Sequence, residues 1–190
     1  MWQSGTTLLL ALALAACGEP PNKEMGQAQG AVDTARAAGA EEYARDEFGA
    51  ATEALQRSKD AAVQGDYKLA LTEALSSYDH AQTAASTAAT ERAQVRGQVE
   101  RELAAIETAL TEVRTRLDGA ARVRSARETV KTLETQAEAL AQALQEARAR
   151  TTAHDYLGAR TQLEGLRARA QVLLATPLTP PAQSSRRRGR

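Results

Sequence analysis

Apolar residues recur at three- and four-residue steps along most of the chain, and this spacing predicts long amphipathic helices. A mean step near 3.5 residues is typical of coiled-coil packing. Strands are not expected, because no segment alternates β-branched or aromatic residues with polar ones. The sequence therefore predicts an all-α protein of elongated antiparallel helical hairpins in a coiled-coil-like bundle. The clearest apolar series are Val95, Val99, Leu103, Ile106, Leu110, Val113 and Leu117; Val130, Leu133, Ala137, Leu140, Leu144 and Ala147; and Tyr156, Ala159, Leu163, Leu166, Ala170 and Leu173.

Glycine residues divide the pattern into separate helices. Gly39 follows an Ala-rich opening helix at about residues 23–38, and Gly65 with Asp66 interrupts the next helix. Glycine suits the position just past a helix end, and aspartate suits the cap of the helix that follows. Residues 118–119, Asp-Gly, predict the end of a third helix of about fifty residues, ~75 Å long. The short turn there predicts that the third and fourth helices pair antiparallel.

The remaining helix boundaries follow from capping residues and a proline. Ser125 with Glu128 three residues later has the capping-box pattern and predicts the start of the fourth helix. Asp155 is the predicted cap of the fifth helix. Pro177 predicts its end, because proline cannot continue the helical hydrogen-bond ladder.

One strongly apolar run, residues 8–16, stands near the amino end, and the only cysteine follows it. A membrane-spanning helix needs about 20 apolar residues, so the run instead has the length of the apolar part of a secretory signal. The residues Leu14, Ala15, Ala16 and Cys17 resemble the lipobox of bacterial lipoproteins. The resemblance implies cleavage before Cys17 and a thiol that carries diacylglycerol. Because Gly18 rather than aspartate follows the cysteine, the enterobacterial sorting rule implies the outer membrane, facing the periplasm.

The carboxyl-terminal tail is the last of the four regions that the sequence predicts. The tail contains prolines and serines that cannot pack into a core, so it is predicted to be disordered. Its arginines, Arg186, Arg187, Arg188 and Arg190, predict either contact with an anionic surface or a merely solvated chain end. The four regions are a signal peptide at residues 1–16, the lipidated Cys17 with a flexible tether at residues 17–24, a helical domain at residues 25–175, and the basic tail at residues 176–190.

Composition narrows the range of functions. The 190 residues are 43% hydrophobic but only 3% aromatic, and much of the apolar fraction is alanine, so any core is thin. With 24 basic and 24 acidic residues, no net charge attracts nucleic acid. A single cysteine excludes an internal disulfide and a cysteine-based zinc site. No nucleophile, histidine and carboxylate stand at a spacing that predicts catalysis, so we expect no enzyme activity, metal or cofactor. His80 and His154 are expected to be solvated.

Residues 54–82 and 143–171 align without gaps at an offset of 89. Each copy predicts a helix, a tight turn ending in Asp-Tyr, and a second helix, although helical sequence of low complexity can also align by chance. The aromatic residues of the helical region predict either a binding groove between hairpins or simply bulk for a core of alanines. The helix-turn motif comprises Gly65, Asp66, Tyr67 and Ala70 in the first copy and Asp155, Tyr156 and Ala159 in the second. The aromatic residues are Tyr43, Phe48, Tyr67, Tyr78 and Tyr156.

Residues 31–89 contain the Tyr-Ala pair at residues 43–44 and the turn Gly-Asp-Tyr at residues 65–67, and with these features they resemble the family known as domain of unknown function 4398. Members are bacterial envelope proteins, frequently lipoproteins, and they often have proline where this chain has Arg45. The resemblance implies an envelope location and helical hairpins, and it implies no activity. The residues that carry it are Ala38, Gly39, Ala40, Tyr43 and Ala44, followed by Gly65, Asp66, Tyr67, Ala70 and Ala74.

Taken together, the sequence predicts a non-enzymatic lipoprotein, anchored in the membrane by lipid on Cys17, that acts as a structural spacer or protein-interaction platform at the periplasmic face of the outer membrane. Two alternatives stay open: a regulatory or adaptor subunit of a cell-wall enzyme, and a protein that contacts peptidoglycan. The expected partner is an envelope protein or peptidoglycan, and nucleic acid is not expected. A homo-oligomer is also open, because apolar seams that close a hairpin can pair two chains.

Overall fold

The computed structural model describes residues 19–178, and these residues form an all-α structure. No strand occurs within this range, so the predicted fold class is confirmed. The helices within it are α1 (Asn22–Ala37), α2 (Ala40–Tyr43), α3 (Arg45–Val63), α4 (Tyr67–Ala120), α5 (Arg127–Thr152) and α6 (Tyr156–Ala175), with a 3-10 helix at Arg124–Ala126 before α5.

The helices belong to two compact units that divide between Arg92 and Ala93, inside α4. The first unit contains α1, α2, α3 and the amino-terminal part of α4. The second unit contains the rest of α4 together with α5 and α6. The long α4 therefore supplies packing surface to both units.

Small side chains fill most of the core of the first unit. Phe48 and Leu55 are its largest buried residues, and nearly all the others are alanines. Alanine removes little apolar area from water, so this core gains less from burial than a leucine core of the same length. The buried alanines and valine are Ala28, Val32 and Ala35 of α1, Ala40 of α2, Ala44 between α2 and α3, Ala51 of α3, and Ala74, Ala81, Ala84 and Ala88 of α4.

Two buried serines join α3 to α4. The hydroxyl of Ser58 in α3 donates to the carbonyl oxygen of Ala70 in α4 at 2.7 Å. In the opposite direction, the hydroxyl of Ser77 in α4 donates to the carbonyl oxygen of Ala51 in α3 at 2.8 Å. Both serines are completely buried, so each hydroxyl has exchanged water for a backbone acceptor on the neighbouring helix. The pair of bonds ties the two backbones together in one register.

Two breaks separate α1 from α3. Gly39 has φ +88°, in the left-handed region, and a Cβ there would lie 3.3 Å from Cδ2 of the Tyr43 ring. Ala44 (φ −146°, ψ 52°) then ends α2, and Arg45 is the first residue of α3. The first helical position favours proline, which accounts for the proline that the resembling family often has where this chain has Arg45.

Larger aliphatic residues fill the core of the second unit. All the predicted seam positions of α5 and α6 are buried, and so are those of α4 except Leu103, which is half-buried. Arg167 of α6 pairs with Glu102 of α4 at 2.9 Å, and Arg148 of α5 pairs with Glu107 of α4. Three helical segments thus surround one core, and the predicted helical bundle is confirmed.

The predicted start of the fourth helix is wrong. Residues 124–126 form a 3-10 turn, and α5 begins at Arg127, with Ala126 at its cap position and no capping side chain. The backbone N–H of Ala126 donates to the carbonyl oxygen of Val123 at 3.0 Å, and Ala126 is only 1% exposed. The turn therefore buries Ala126 in the core, and this packing overrides the local signal given by Ser125 and Glu128.

We predict that Ser77→Ala destabilises the first unit by about 1 kcal/mol relative to Ser76→Ala, because a buried inter-helix hydrogen bond is lost. Ser76 is the matched control: it is the preceding residue of α4, it is half-buried, and its hydroxyl bonds no other described residue. Both changes gain the same helix propensity, which cancels in the comparison. Urea unfolding followed by circular dichroism measures the difference. Equal midpoints for the two variants would show that the Ser77 bond adds nothing.

Candidate functional site

The first helix-turn motif joins α3 to α4 within the first unit. Gly65 has φ +78°, and its N–H donates to the Ala62 carbonyl at 3.1 Å while the N–H of Asp66 donates to the Ala61 carbonyl at 3.0 Å. These two bonds satisfy the last carbonyls of α3 in a Schellman motif. The carboxylate of Asp66 then accepts from the N–H of Leu69 at 3.0 Å, so the predicted cap of α4 is present.

The second motif joins α5 to α6 with the same set of bonds. The N–H of His154 donates to the Thr151 carbonyl at 3.1 Å, and the N–H of Asp155 donates to the Arg150 carbonyl at 3.0 Å. The carboxylate of Asp155 caps α6 by accepting from the N–H of Gly158 at 2.9 Å. This bond, assisted by the guanidinium of Arg150 at 2.8 Å, lowers the pKa of Asp155 below its usual value.

His154 occupies the left-handed position that Gly65 holds in the first copy. Its φ is +64°, and it is the one described residue other than glycine with a positive φ. Histidine is among the residues that tolerate this region best. The ring is exposed, as predicted, but its Nδ1 lies 3.0 Å from the hydroxyl of Tyr156. An alignment of the two copies pairs His154 with Gly65, so the signal for this conformation was present in the sequence.

The two copies of the repeat also bury many of their corresponding positions. Tyr156 is buried whereas its counterpart Tyr67 is half-buried, but Ala70 and Ala159 are both completely buried next to their turns. From residue 44 to residue 84, ten positions are buried together with the residue 89 positions later, and this range is wider than that of the sequence identities. This shared register supports a duplicated hairpin over a chance alignment. The pairs are Ala44 with Leu133, Phe48 with Ala137, Ala51 with Leu140, Leu55 with Leu144, Ser58 with Ala147, Ala70 with Ala159, Ala74 with Leu163, Ser77 with Leu166, Ala81 with Ala170, and Ala84 with Leu173.

The aromatic residues do not gather at one place. Phe48 is buried in the first core, with the guanidinium of Arg36 5.4 Å from its ring centroid, and Tyr43 packs partly buried against the same core. Tyr78 is 36% exposed on α4. Tyr156 belongs to the core of the second unit. These positions favour the interpretation that the aromatics supply bulk.

The chemistry of the described residues is sparse. No group of three or more histidine, cysteine or acidic side chains within residues 19–178 is placed to bind a metal ion. Over the same range, no helix combines the length and apolar character needed to cross a bilayer. A shallow depression of about 450 Å³ lies between α5 and α6, with Leu140 and Leu173 at its base and Gln136, Arg169 and Val172 along its walls. Its lining holds no pair of groups that points to a reaction.

The remaining predicted site residues lie outside the described range. They are Leu14, Ala15, Ala16 and Cys17 of the predicted signal and anchor, and Arg186, Arg187, Arg188 and Arg190 of the tail. The two helix-turn motifs belong to different units and serve the packing of each unit separately. Within the described range, sequence reasoning missed Ser58 and Ser77, whose role depends on which backbone lies opposite.

Residues 23–99 match the family model described as Domain of unknown function (DUF4398). The match confirms the resemblance predicted from the Tyr-Ala pair and the first helix-turn motif. The matched DUF4398 segment covers α1 from its second residue, α2, α3 and the amino-terminal part of α4. No curated protein and no solved structure matches the chain.

We predict opposite effects for two Gly→Ala changes in the DUF4398 segment. Gly65→Ala should destabilise the protein by about 1 kcal/mol, because an L-residue is strained at positive φ; a Cβ there meets nothing within 4 Å, so the cost is conformational alone. Gly49→Ala, in the interior of α3 and equally free of contacts, should stabilise it by about 0.5–1 kcal/mol. Thermal unfolding followed by circular dichroism gives both signs. Two changes of the same sign would contradict the proposed role of the turn.

Proposed function

We propose that the chain is a non-enzymatic envelope lipoprotein, held at the periplasmic face of the outer membrane by lipid on Cys17, whose helical units act as a spacer or a protein-interaction platform. The observation that carries the proposal is the lipobox-like series Leu14, Ala15, Ala16 and Cys17 at the end of the apolar run. The envelope location implied by the family resemblance supports it, since the DUF4398 match covers residues 23–99.

The distance between the cysteine and the first helix is short. Helix α1 begins at Asn22, five residues after Cys17. At full extension, five residues reach no more than about 18 Å. A lipid on Cys17 would therefore keep the beginning of α1 close to the membrane surface. Such a tether suits a protein that works at the membrane.

An exposed apolar stripe on α4 supports the platform over a passive spacer. Leu71, Leu75 and Tyr78 are 38%, 50% and 36% exposed, and their spacing of four and three residues places them on one side of the helix. Among the partners predicted from the sequence, an envelope protein such as a cell-wall enzyme suits this apolar stripe best. Peptidoglycan is a polar polymer and is therefore less complementary to an apolar stripe.

We predict that Cys17→Ser abolishes lipid attachment. In a bacterial host supplied with an alkyne analogue of palmitate, the parent chain should become labelled and float with membranes, whereas the variant should remain unlabelled. A block of signal peptidase II should leave a longer, uncleaved form of the parent. The double variant Cys17→Ser with Val63→Cys is the matched control, because it restores a thiol at a position that is 89% exposed but lacks the lipobox. Label on this control, or equal labelling of Cys17→Ser and the parent chain, would refute lipidation at Cys17.

The platform is tested separately by photo-crosslinking in cells. A photoreactive amino acid at Leu75 should give a discrete covalent adduct with an envelope protein. The same amino acid at Leu69 should not; Leu69 is 45% exposed on the same helix but lies about 120° around its axis from Leu75. Equal adducts from both positions, or from neither, would exclude a platform at this stripe and favour the spacer.

A further inference from the structure

The chain from the last turns of α4 to the first residue of α5 is strongly basic. Residues 114–127 contain five arginines and a single acidic residue, Asp118. Arg122, Arg124 and Arg127 follow one another within six residues and are all exposed. We call these three residues, together with Val123 between the first two, the arginine tip. The overall charge of zero hides this local concentration.

The guanidinium groups of the arginine tip, those of Arg122, Arg124 and Arg127, have no hydrogen-bonding or ionic partner among the described residues. Elsewhere in the same unit, Arg148 pairs with Glu107 and Arg167 pairs with Glu102. Arginine is the side chain whose planar, always-charged donors match phosphate oxygens. The tip is therefore free to bind an external anion.

Val123 adds an apolar component. It is 44% exposed although both its backbone groups are bonded: its N–H donates to the Ala120 carbonyl at 2.9 Å, and its carbonyl accepts from Ala126 at 3.0 Å. An ordered turn thus holds one apolar side chain in solvent between two arginines. This combination fits the boundary of an anionic bilayer, where phosphates lie next to acyl chains. A soluble polyanion could bind the arginines, but it has no apolar region to contact Val123.

The carboxyl end of α6 lies beside the last turns of α4. Arg116, in the last turns of α4, donates to the carbonyl oxygens of Leu174 and Thr176, the latter at 3.2 Å. The chain therefore leaves α6 beside the carboxyl end of α4, which leads into the tip. Four more arginines follow in residues 186–190 of the sequence.

We propose that the arginine tip is a membrane-contact surface that binds anionic phospholipid headgroups, with the guanidinium groups on the phosphates and Val123 at the acyl boundary. This contact belongs to the second unit and does not depend on lipid at Cys17. Near an anionic bilayer each arginine contributes enough to change partitioning about fivefold, so the three together account for a factor on the order of 100.

The test places a single fluorescent probe at the tip. Cys17 is the only cysteine, so Cys17→Ser with Val123→Cys gives the full chain one reactive thiol for an environment-sensitive dye. Vesicles of phosphatidylcholine mixed with phosphatidylglycerol should shift its emission to the blue, and vesicles of phosphatidylcholine alone should not. Cys17→Ser with Ala153→Cys labels an exposed residue of the turn between α5 and α6, at the opposite end of α5, and should show no shift.

Charge variants then identify the residues responsible. Arg122→Gln, Arg124→Gln and Arg127→Gln together should raise the lipid concentration for half-maximal shift on the order of 100-fold. The matched control, Arg101→Gln, Arg160→Gln and Arg169→Gln, removes the same charge from exposed positions of the same unit and should raise it less than tenfold. All variants keep residues 186–190, and circular dichroism confirms their helix content.

Three results would overturn the proposal. One is an equal shift with neutral vesicles, and another is an equal shift at position 153. The third is a shift with soluble heparin but none with vesicles, which would assign the tip to a polyanion in solution. Because the Cys17→Ser background has no thiol to lipidate, none of these outcomes bears on the lipid anchor, and failure of the anchor would leave the vesicle result unaffected.

Discussion

Each unit depends on a tight turn that fixes the register of two helices. In both turns a left-handed residue closes the outgoing helix, and an aspartate caps the next helix by accepting from the backbone N–H three residues later. These residues are Gly65 and Asp66 in one turn and His154 and Asp155 in the other. Because such a turn has a fixed length and conformation, the distance of each residue from the turn along the chain determines which residue of the other helix it faces. The ten buried pairs at an offset of 89 follow from this constraint.

The two hairpins share this register, but different types of side chain fill their cores. Where the second hairpin buries Leu140, Leu163 and Leu166, the first buries Ala51, Ala74 and Ser77. Leucines stabilise the second hairpin through buried apolar area. Small residues give the first hairpin less area, but they permit serine hydroxyls to reach the opposite backbone and to bond it. Burial thus stabilises one copy of the turn motif, and directed hydrogen bonds contribute more in the other.

The sequence predicted what depends on neighbours along the chain. The apolar seams, both aspartate caps and the helix breaks at Gly39 and Gly65 are local signals, and the structure confirms them. Features that depend on a distant partner were missed or wrong. Ser58 could not be distinguished from a solvated serine without knowing that the Ala70 carbonyl lies opposite, and the start of α5 moved because Ala126 is buried in the core. The chemical prediction with the most functional content, lipid on Cys17, concerns a residue outside the described range and stays a prediction.

Residues that organise the fold and residues that could meet a partner are largely separate in this protein. The turn motifs use their polar groups internally, since Asp155 is held by both Gly158 and Arg150. Among the described residues, the groups that face solvent without an internal role include the apolar stripe of the first unit and the guanidinium groups of the arginine tip in the second. A lipid on Cys17 would hold the first unit permanently, because the bond is covalent, whereas arginine–phosphate contacts weaken with salt and require anionic lipid. The second unit would then respond to the composition of the membrane to which the first is fixed.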